Sequence, residues 1–441
     1  MKLDFTIQTL GPGKIISPVT LSKLDGDMIA NYVGDDELIV YDINAKPGNK
    51  AAYERKNLIE KAGPRENIFF DPEKVHAAIV TCGGLCPGLN DVIRAIVMAL
   101  WYQYGVRRIS GVQFGYRGFL PEFNHPFITL KPDIVKDIHR TGGTMLGSSR
   151  GNGKRTAEIV DRMEKEGINV LFTIGGDGTQ RGTLRIAEEV DRRGLNVAVV
   201  GVPKTIDNDL SFVERSFGFV TAVSEAVKAV DCAHVEAHDA VNGIGLVKVM
   251  GRESGFIAAY TALGSGDVNF ALVPELHFDL DGEKGLFAVL EKRLERRNHA
   301  LIVVAEGAGQ EHLEASAEVD ASGNKKLGDI GVFLSDKIKK HFAAKNIDVN
   351  LKYIDPSYII RSCAAVPIDA IYCTRLGTHA VHAAMAGKTK MLVSYVNDTF
   401  VHIPTELAVS SRKCINPESA LWRNVIETTG QPHLMLNTLG L

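Results

Sequence analysis

Three loops of this chain set glycines, carboxylates and hydroxyls directly after apolar runs, where phosphate chemistry can be done. The first, Thr81-Cys82-Gly83-Gly84-Leu85-Cys86-Pro87-Gly88-Leu89-Asn90, is a glycine turn leading into a helical pattern, so its backbone N–H groups and the positive helix end can meet phosphate oxygens. Glycine also serves such turns for geometry alone, so this loop by itself leaves both readings open. It has neither the G-x-G-x-x-G spacing of a nicotinamide-nucleotide turn nor the lysine of a Walker loop, and those two readings drop out. The second loop, Gly175-Gly176-Asp177-Gly178-Thr179, places one carboxylate among glycines. Asp177 there can hold Mg²⁺, directly or through water, while neighbouring amides hold the phosphates that the metal bridges. Lipid kinases and NAD kinases share such a loop, so it says phosphoryl transfer and no more. The third, Pro203-Lys204-Thr205-Ile206-Asp207-Asn208-Asp209, offers the acceptors and hydroxyl that orient a sugar alcohol and remove its proton. A plain turn built on Asp-Asn-Asp is the alternative for that segment taken alone.

Arg150 and Arg252, out of context, read as ordinary surface residues. Each follows a glycine-rich or apolar strand end, where functional loops gather. His234 and His238 are four apart on an expected helix, a spacing that can bind zinc, but the H-E-x-x-H order is missing and amphipathic packing explains the segment.

The elements that must position these residues repeat one pattern. His76 to Thr81, Val170 to Ile174 and Val197 to Val200 are short apolar runs that end in glycine loops, the first two followed by helical periodicity. Strand, glycine loop and helix in succession predict an α/β domain with a parallel sheet, whose ligands lie beyond the carboxyl ends of its strands. A second set, Gly245 to Val249 entering Met250-Gly251-Arg252 and Leu301 to Ala305 entering Glu306-Gly307, predicts a second similar lobe and an active site in a cleft between the two. The expected organisation is an N-terminal extension over 1–72, one lobe over 73–210 plus about 355–412, a second lobe over 211–354, and a C-terminal tail over 413–441.

Composition bounds the partners. With 441 residues, 45% of them hydrophobic, the chain can bury a large core, and a net charge of -3 gives no global field toward nucleic acid or an anionic membrane. An anionic substrate must be held locally. The six cysteines show no C-x-x-C spacing, which fits reduced thiols and a cytoplasmic protein. No basic flank followed by an apolar stretch opens the chain, and no apolar run approaches the roughly 20 residues of a membrane span, so neither a signal peptide nor a span is expected.

The ordered set TCGGLCPGLN, GSSR, GGDGT, PKTIDND, VMGR, AEG and Tyr358 to Arg361, spread from about Ala77 to about Gly377, closely resembles the phosphofructokinase family, ATP-dependent 6-phosphofructokinases in particular. GIGLVKVMGRESGFIA and KYIDPSYIIR resemble the long plant and trypanosomal enzymes more than the short bacterial ones. The resemblance implies ATP as phosphoryl donor, Mg²⁺ as cofactor, fructose 6-phosphate as acceptor and a homotetramer or homodimer. It makes Asp207 the base for the 1-hydroxyl, with Thr205 and Asp209 as supports and Ile206 between them, and Asp177 the Mg²⁺ ligand. Gly83, Arg150 and the loop Gly176, Asp177, Gly178, Thr179 correspond to the nucleotide-phosphate cradle. Arg252 is similar to a cation near the transferred group, and Met250, Gly251, Glu306, Tyr358 and Arg361 match the sugar-phosphate side. Lys352, nine positions before Arg361, stands where the family places a basic residue that reaches the 6-phosphate in a neighbouring subunit.

Departures from the family pattern are informative. Leu85 stands where the short bacterial enzymes have an aspartate, Gly243 replaces one of their basic residues, and Met98 replaces an effector-site arginine, so the bacterial route of regulation is not expected. The donor rests on Gly178 and Lys204. Pyrophosphate-dependent relatives carry an aspartate at the first position, which would oppose the α-phosphate of ATP, whereas glycine leaves that space open. Lysine at the second resembles the pyrophosphate enzymes, as a compact cation suited to the short donor. A clash excludes a ligand more firmly than a cation invites one, so ATP is expected and the pyrophosphate-dependent transferase is the alternative. A non-catalytic regulatory subunit would have lost Asp207 or Asp177, and both are present.

Overall fold

Runs such as His76–Thr81 and Val170–Gly175, with all six residues of each buried, are what a parallel sheet covered by helices requires. The computed structural model describes residues 3–44, 54–314, 318 and 326–438. The chain divides into two units, the first Met1–Ile206, Leu210–Gly218 and Cys363–Arg412, the second Asp207–Asp209, Phe219–Ser362 and Lys413–Leu441. The strands of their principal sheets, in chain order, are β1 (His76–Thr81), β2 (Arg108–Val112), β3 (Ile128–Thr129), β4 (Val170–Gly175), β5 (Ala198–Pro203), β6 (Gly243–Val249), β7 (Phe270–Leu272), β8 (His299–Ala305), β9 (Asn350–Ile354), β10 (Met391–Val396) and β11 (Thr399–Pro404).

In the first unit the spatial order is β11-β10-β5-β4-β1-β2-β3. The five inner strands are parallel, and the antiparallel strands β11 and β3 close the edges. From β1 the chain passes through the helix Leu89–Met98 to β2 on one side. From β4 it passes through Asp177–Arg192 to β5 on the other. The neighbours β1 and β4 therefore form a topological switch point, the place where a doubly wound sheet opens a crevice beyond its strand ends.

The second unit, taken by itself, repeats the device. Its order is β7-β8-β6-β9, with every pairing parallel. The chain leaves β6 toward β7 and leaves β8 toward β9, so these two neighbours also send their connections in opposite directions.

The segment read as an extension is bound into the first unit by contacts distant in sequence. Gln8–Thr9 pairs antiparallel with Lys388–Thr389, Ile15–Ile16 with Asn67–Ile68, and Leu38–Val40 with Leu58–Glu60. Phe5 and Ile59 are buried in one apolar cluster with Leu210, Val213, Val401 and Ile403. Beside it lies a buried charge group: Glu60 accepts from Arg65 at 2.9 Å, from His402 Nδ1 at 2.9 Å and from Lys388 at 3.0 Å. In the second unit the tail forms the helix Ala420–Thr429, and Gln431 accepts from the backbone of Ala271 at 2.6 Å, occupying the edge strand β7.

Candidate active site

The loop after β1 turns through Gly83 and Gly88, at φ 89° and 96°. A Cβ on Gly88 would lie 2.6 Å from the sulfur of Cys373, so both backbone and space require glycine there. Gly83 donates its amide to Ser149 O at 3.0 Å and accepts from Ser148 Oγ at 2.7 Å. The GSSR segment is thereby laced to the first loop, and the guanidinium of Arg150 lies 3.7 Å from where a Cβ on Gly84 would be. Lys204, at the exit of β5, is buried and donates from Nζ to Gly84 O at 2.7 Å.

At the other half of the switch point, Asp177 is the first residue of its helix, with Gly176 at the N-cap. The helix start faces the end of β4, and its unpaired amides carry the partial positive charge that attracts phosphate. A Cβ on Gly176 would lie 3.0 Å from Lys204 O, whereas one on Gly178 would meet nothing within 4 Å. Thr179 is buried, and its carbonyl accepts from Tyr116 Oη at 2.9 Å. Both Asp177 carboxylate oxygens accept from Arg181 Nε at 3.1 Å, and Arg412 lies 4.0 Å away. Among the described residues no group of three His, Cys, Asp or Glu side chains is arranged to hold a metal ion. A single hard carboxylate beside an anion cradle does suit Mg²⁺, which keeps several waters and binds through one or two carboxylates plus phosphates.

Thr205 is buried and its carbonyl accepts from Ser216 Oγ, while Ile206 packs against the core. Asp207, Asn208 and Asp209 group with the second unit, where Ser254 Oγ donates to Asp207 O at 3.4 Å and Lys413 N to Asp209 O at 2.9 Å. The same unit joins Met250-Gly251-Arg252, after β6, to Glu306-Gly307, after β8. Glu306 N donates to Val249 O at 2.9 Å and Gly307 N to Gly251 O at 3.0 Å. A Cβ on Gly307 would fall 1.8 Å from Arg252 O, so only glycine permits this approach. Burial pushes the Glu306 carboxyl up, against the charges of Arg252, Lys248 and Arg361. Arg361 lies over the ring of Tyr358, 4.5 Å from its centre. The structure thus gathers Met250, Gly251, Arg252, Glu306 and Arg361 in one neighbourhood. Lys352, exposed on β9, is instead 3.8 Å from Glu236.

Some participants were not singled out from the sequence. Arg181 stands one helical turn from Asp177, a spacing that could have been read. Arg412 and Ser148 reach their partners only through the fold. Lys248 bridges Asp329 and Asp355 at 2.9 Å each, and although burial opposes its charge, those hydrogen bonds hold it protonated. Gly243 has a steric reason: a Cβ there would lie 2.0 Å from Ala237 O. His234 and His238 face a third ring, His299, at 5.6 and 5.4 Å between centres.

The family described as Phosphofructokinase matches residues 76–384. The chain is 55% identical to "ATP-dependent 6-phosphofructokinase" of Borreliella burgdorferi, covering 99% of this chain and 98% of that protein. It is 45% identical to the "ATP-dependent 6-phosphofructokinase" of Trypanoplasma borreli, over 97% of this chain and 87% of that one. Among solved structures, a pyrophosphate-dependent phosphofructokinase from Marinobacter aquaeolei superposes with a TM-score of 0.67 at 20% identity, covering 80% of this chain and 91% of that one, a likeness of fold alone.

Proposed function

The chain belongs to the phosphofructokinase family, and from this premise we propose that it transfers the γ-phosphoryl group of ATP to the 1-hydroxyl of fructose 6-phosphate, giving fructose 1,6-bisphosphate and ADP. The observation that carries the reading is the pair of glycine loops at the β1/β4 switch point, with open space at Gly178 where a longer donor needs it.

In this mechanism Gly83, Arg150 and the backbone of Gly176 to Thr179 cradle the donor phosphates, and Asp177 is the residue that would hold Mg²⁺ beside them. Bound there, Mg²⁺ neutralises charge on the phosphate oxygens. Asp207 accepts the proton of the 1-hydroxyl as the O1–P bond forms and the bond to the bridging oxygen of ADP breaks. Thr205 and Asp209 flank that carboxylate, Ile206 contributes backbone to the sugar side, and Arg252 meets the charge that develops on the transferred group. Met250, Gly251, Glu306, Tyr358 and Arg361 hold the sugar phosphate. Lys352, exposed beside Glu236, serves the 6-phosphate in a neighbouring subunit of a homodimer or homotetramer. The six free cysteines suit a reducing compartment and support a cytoplasmic enzyme; no helix among the described residues is long and apolar enough to cross a membrane.

Lys204 favours a second reading, the pyrophosphate-dependent transferase. The purified protein, given fructose 6-phosphate and Mg²⁺ with each donor in turn, separates the two: ATP is expected to support turnover at least about tenfold better than pyrophosphate. Asp207→Asn in the same assay should lower turnover by about 10²-fold or more, the usual worth of general-base help, in a protein that melts as the parent does. Near-parental turnover in that variant would remove Asp207 from the mechanism.

A further inference from the structure

Phe212, five positions after Asp207, adopts φ 59°. This is the left-handed region, which a residue bearing a bulky ring occupies only where its surroundings enforce it, and such outliers concentrate where a loop must be held in one shape. The enforcement is visible. Phe5 meets the Phe212 ring edge-on at 5.5 Å between centres, Tyr41 meets it at 5.3 Å, and Phe5 and Tyr41 are 5.5 Å apart, so three rings close on one another. Two of the three come from the N-terminal extension, and Phe5 is fully buried.

The backbone around Phe212 is tied down on every side. Phe212 O accepts from Ser394 Oγ at 2.6 Å, and Ser211 Oγ donates to Ser411 O at 2.9 Å. Leu210 bridges to Arg412, and Leu210 and Val213 are buried with Phe5. Glu214 accepts from the amide of Asn397, whose side chain donates to Val40 O at 2.8 Å and Tyr41 O at 3.0 Å. Ser216 returns to Thr205 O, so the two flanks of Asp207–Asp209 are anchored within one unit.

We infer that Phe5 and Tyr41 of the N-terminal extension are positioning residues for phosphoryl transfer: by clamping the ring of Phe212 they hold the segment after Asp207 in a conformation it would not keep alone. The inference rests on Asp207 as the base. Preorganisation of a proton acceptor acts on the chemical step, whereas substrate affinity is set elsewhere, so loss of the clamp should appear in kcat and spare KM. An apolar patch that only stabilised the fold would change neither once the protein is folded.

The test uses the full-length chain, with Asp207→Asn measured in parallel to secure the underlying reading. Phe5→Ala and Phe212→Gly, the second of which tolerates φ 59° but removes the ring, are each expected to lower kcat about tenfold with both KM values within about twofold. Because both break one clamp, the double variant should lose little more than either single one. Phe5→Leu, which refills the cluster, should recover most of the rate. If Phe5→Ala does not fold, Tyr41→Leu, at a half-buried position, takes its place with the same expected split. A folded clamp variant with kcat within twofold of the parent, or a double variant that loses the product of the two single losses, overturns the inference. If Asp207→Asn itself retains turnover, the failure lies in the assignment of the base.

Discussion

The ammonium of Lys204, on a side chain only 6% exposed, donates to the carbonyl of Gly84 across 2.7 Å. A cation at the exit of β5 therefore braces the glycine turn after β1, beyond any contact it makes with a donor. Lys204→Met, close in shape but unable to donate, should lose both functions. A hydrogen bond from a charged group is worth about 1.5–3 kcal/mol, so kcat/KM for ATP is expected to fall roughly tenfold or more. Lys204→Arg should not restore it, since a planar fork does not fit a buried niche shaped for a compact ammonium. Steady-state kinetics of the two variants, with melting temperatures as control, decide this.

Gly178 offers the complementary case. A Cβ there meets nothing within 4 Å, so Gly178→Asp should fold and melt as the parent does. Any loss must then come from the ligand. Like charges brought together cost several kcal/mol, enough to depress ATP use by about 10²-fold, while the shorter pyrophosphate escapes the clash. A comparison of both donors at saturating Mg²⁺ should show ATP use collapsing and pyrophosphate use holding or rising.

For Lys352 the expectation concerns affinity. Its contact with Glu236 is long, at 3.8 Å, and exposed, so little stability depends on it. Lys352→Ala should raise the KM for fructose 6-phosphate about tenfold and leave kcat within about twofold, as removal of a remote phosphate contact does. Mixed oligomers of this variant with Asp207→Asn should contain sites with the parental KM for fructose 6-phosphate if each site borrows Lys352 from a neighbour, and show only the raised KM of Lys352→Ala if it does not.

Acid should loosen the N-terminal extension. Burial opposes the charge on Glu60, but the hydrogen bond from His402 and the ammonium of Lys388 outweigh it and hold the carboxyl at about 2, against an ordinary 4.5. A depressed carboxyl stabilises the fold above its unfolded pKa and loses that contribution as pH falls toward the folded one. The shift corresponds to roughly 3 kcal/mol, present at pH 5 and above and draining away toward pH 2. Glu60→Gln should therefore melt lower than the parent at pH 7 and show a flatter decline between pH 4.5 and 3. Scanning calorimetry across that range checks it.

Both halves of the first switch point were legible in the sequence because each is local: an apolar run, a glycine turn and a helix start lie within a dozen or so residues, as at Thr81–Asn90 and Gly175–Thr179. Glycines whose missing Cβ permits a close approach, such as Gly88 against Cys373, were legible as turns but not as contacts. Arg412 beside Asp177, Ser148 on Gly83 and Phe5 on Phe212 were hidden, since each depends on segments brought together only by folding. The extension looked polar and appended because two of its strand pairs close within it, while the pairing of Gln8–Thr9 with Lys388–Thr389 and the ring contact of Phe5 with Phe212 depend on segments far along the chain.

The pairing of Gln8–Thr9 with Lys388–Thr389 also bears on how the protein is made. Roughly 380 residues separate the two strands, and at about 5–20 residues per second a ribosome needs roughly 20–80 s to supply the second after the first. For that interval the edge of Gln8–Thr9 has no native partner, and Phe5 can meet Tyr41 and Ile59 but not Val401 and Ile403, the later members of its cluster. Gln8–Thr9 is thus translated well before the strand that completes its pairing, and waits for it with open backbone donors and acceptors.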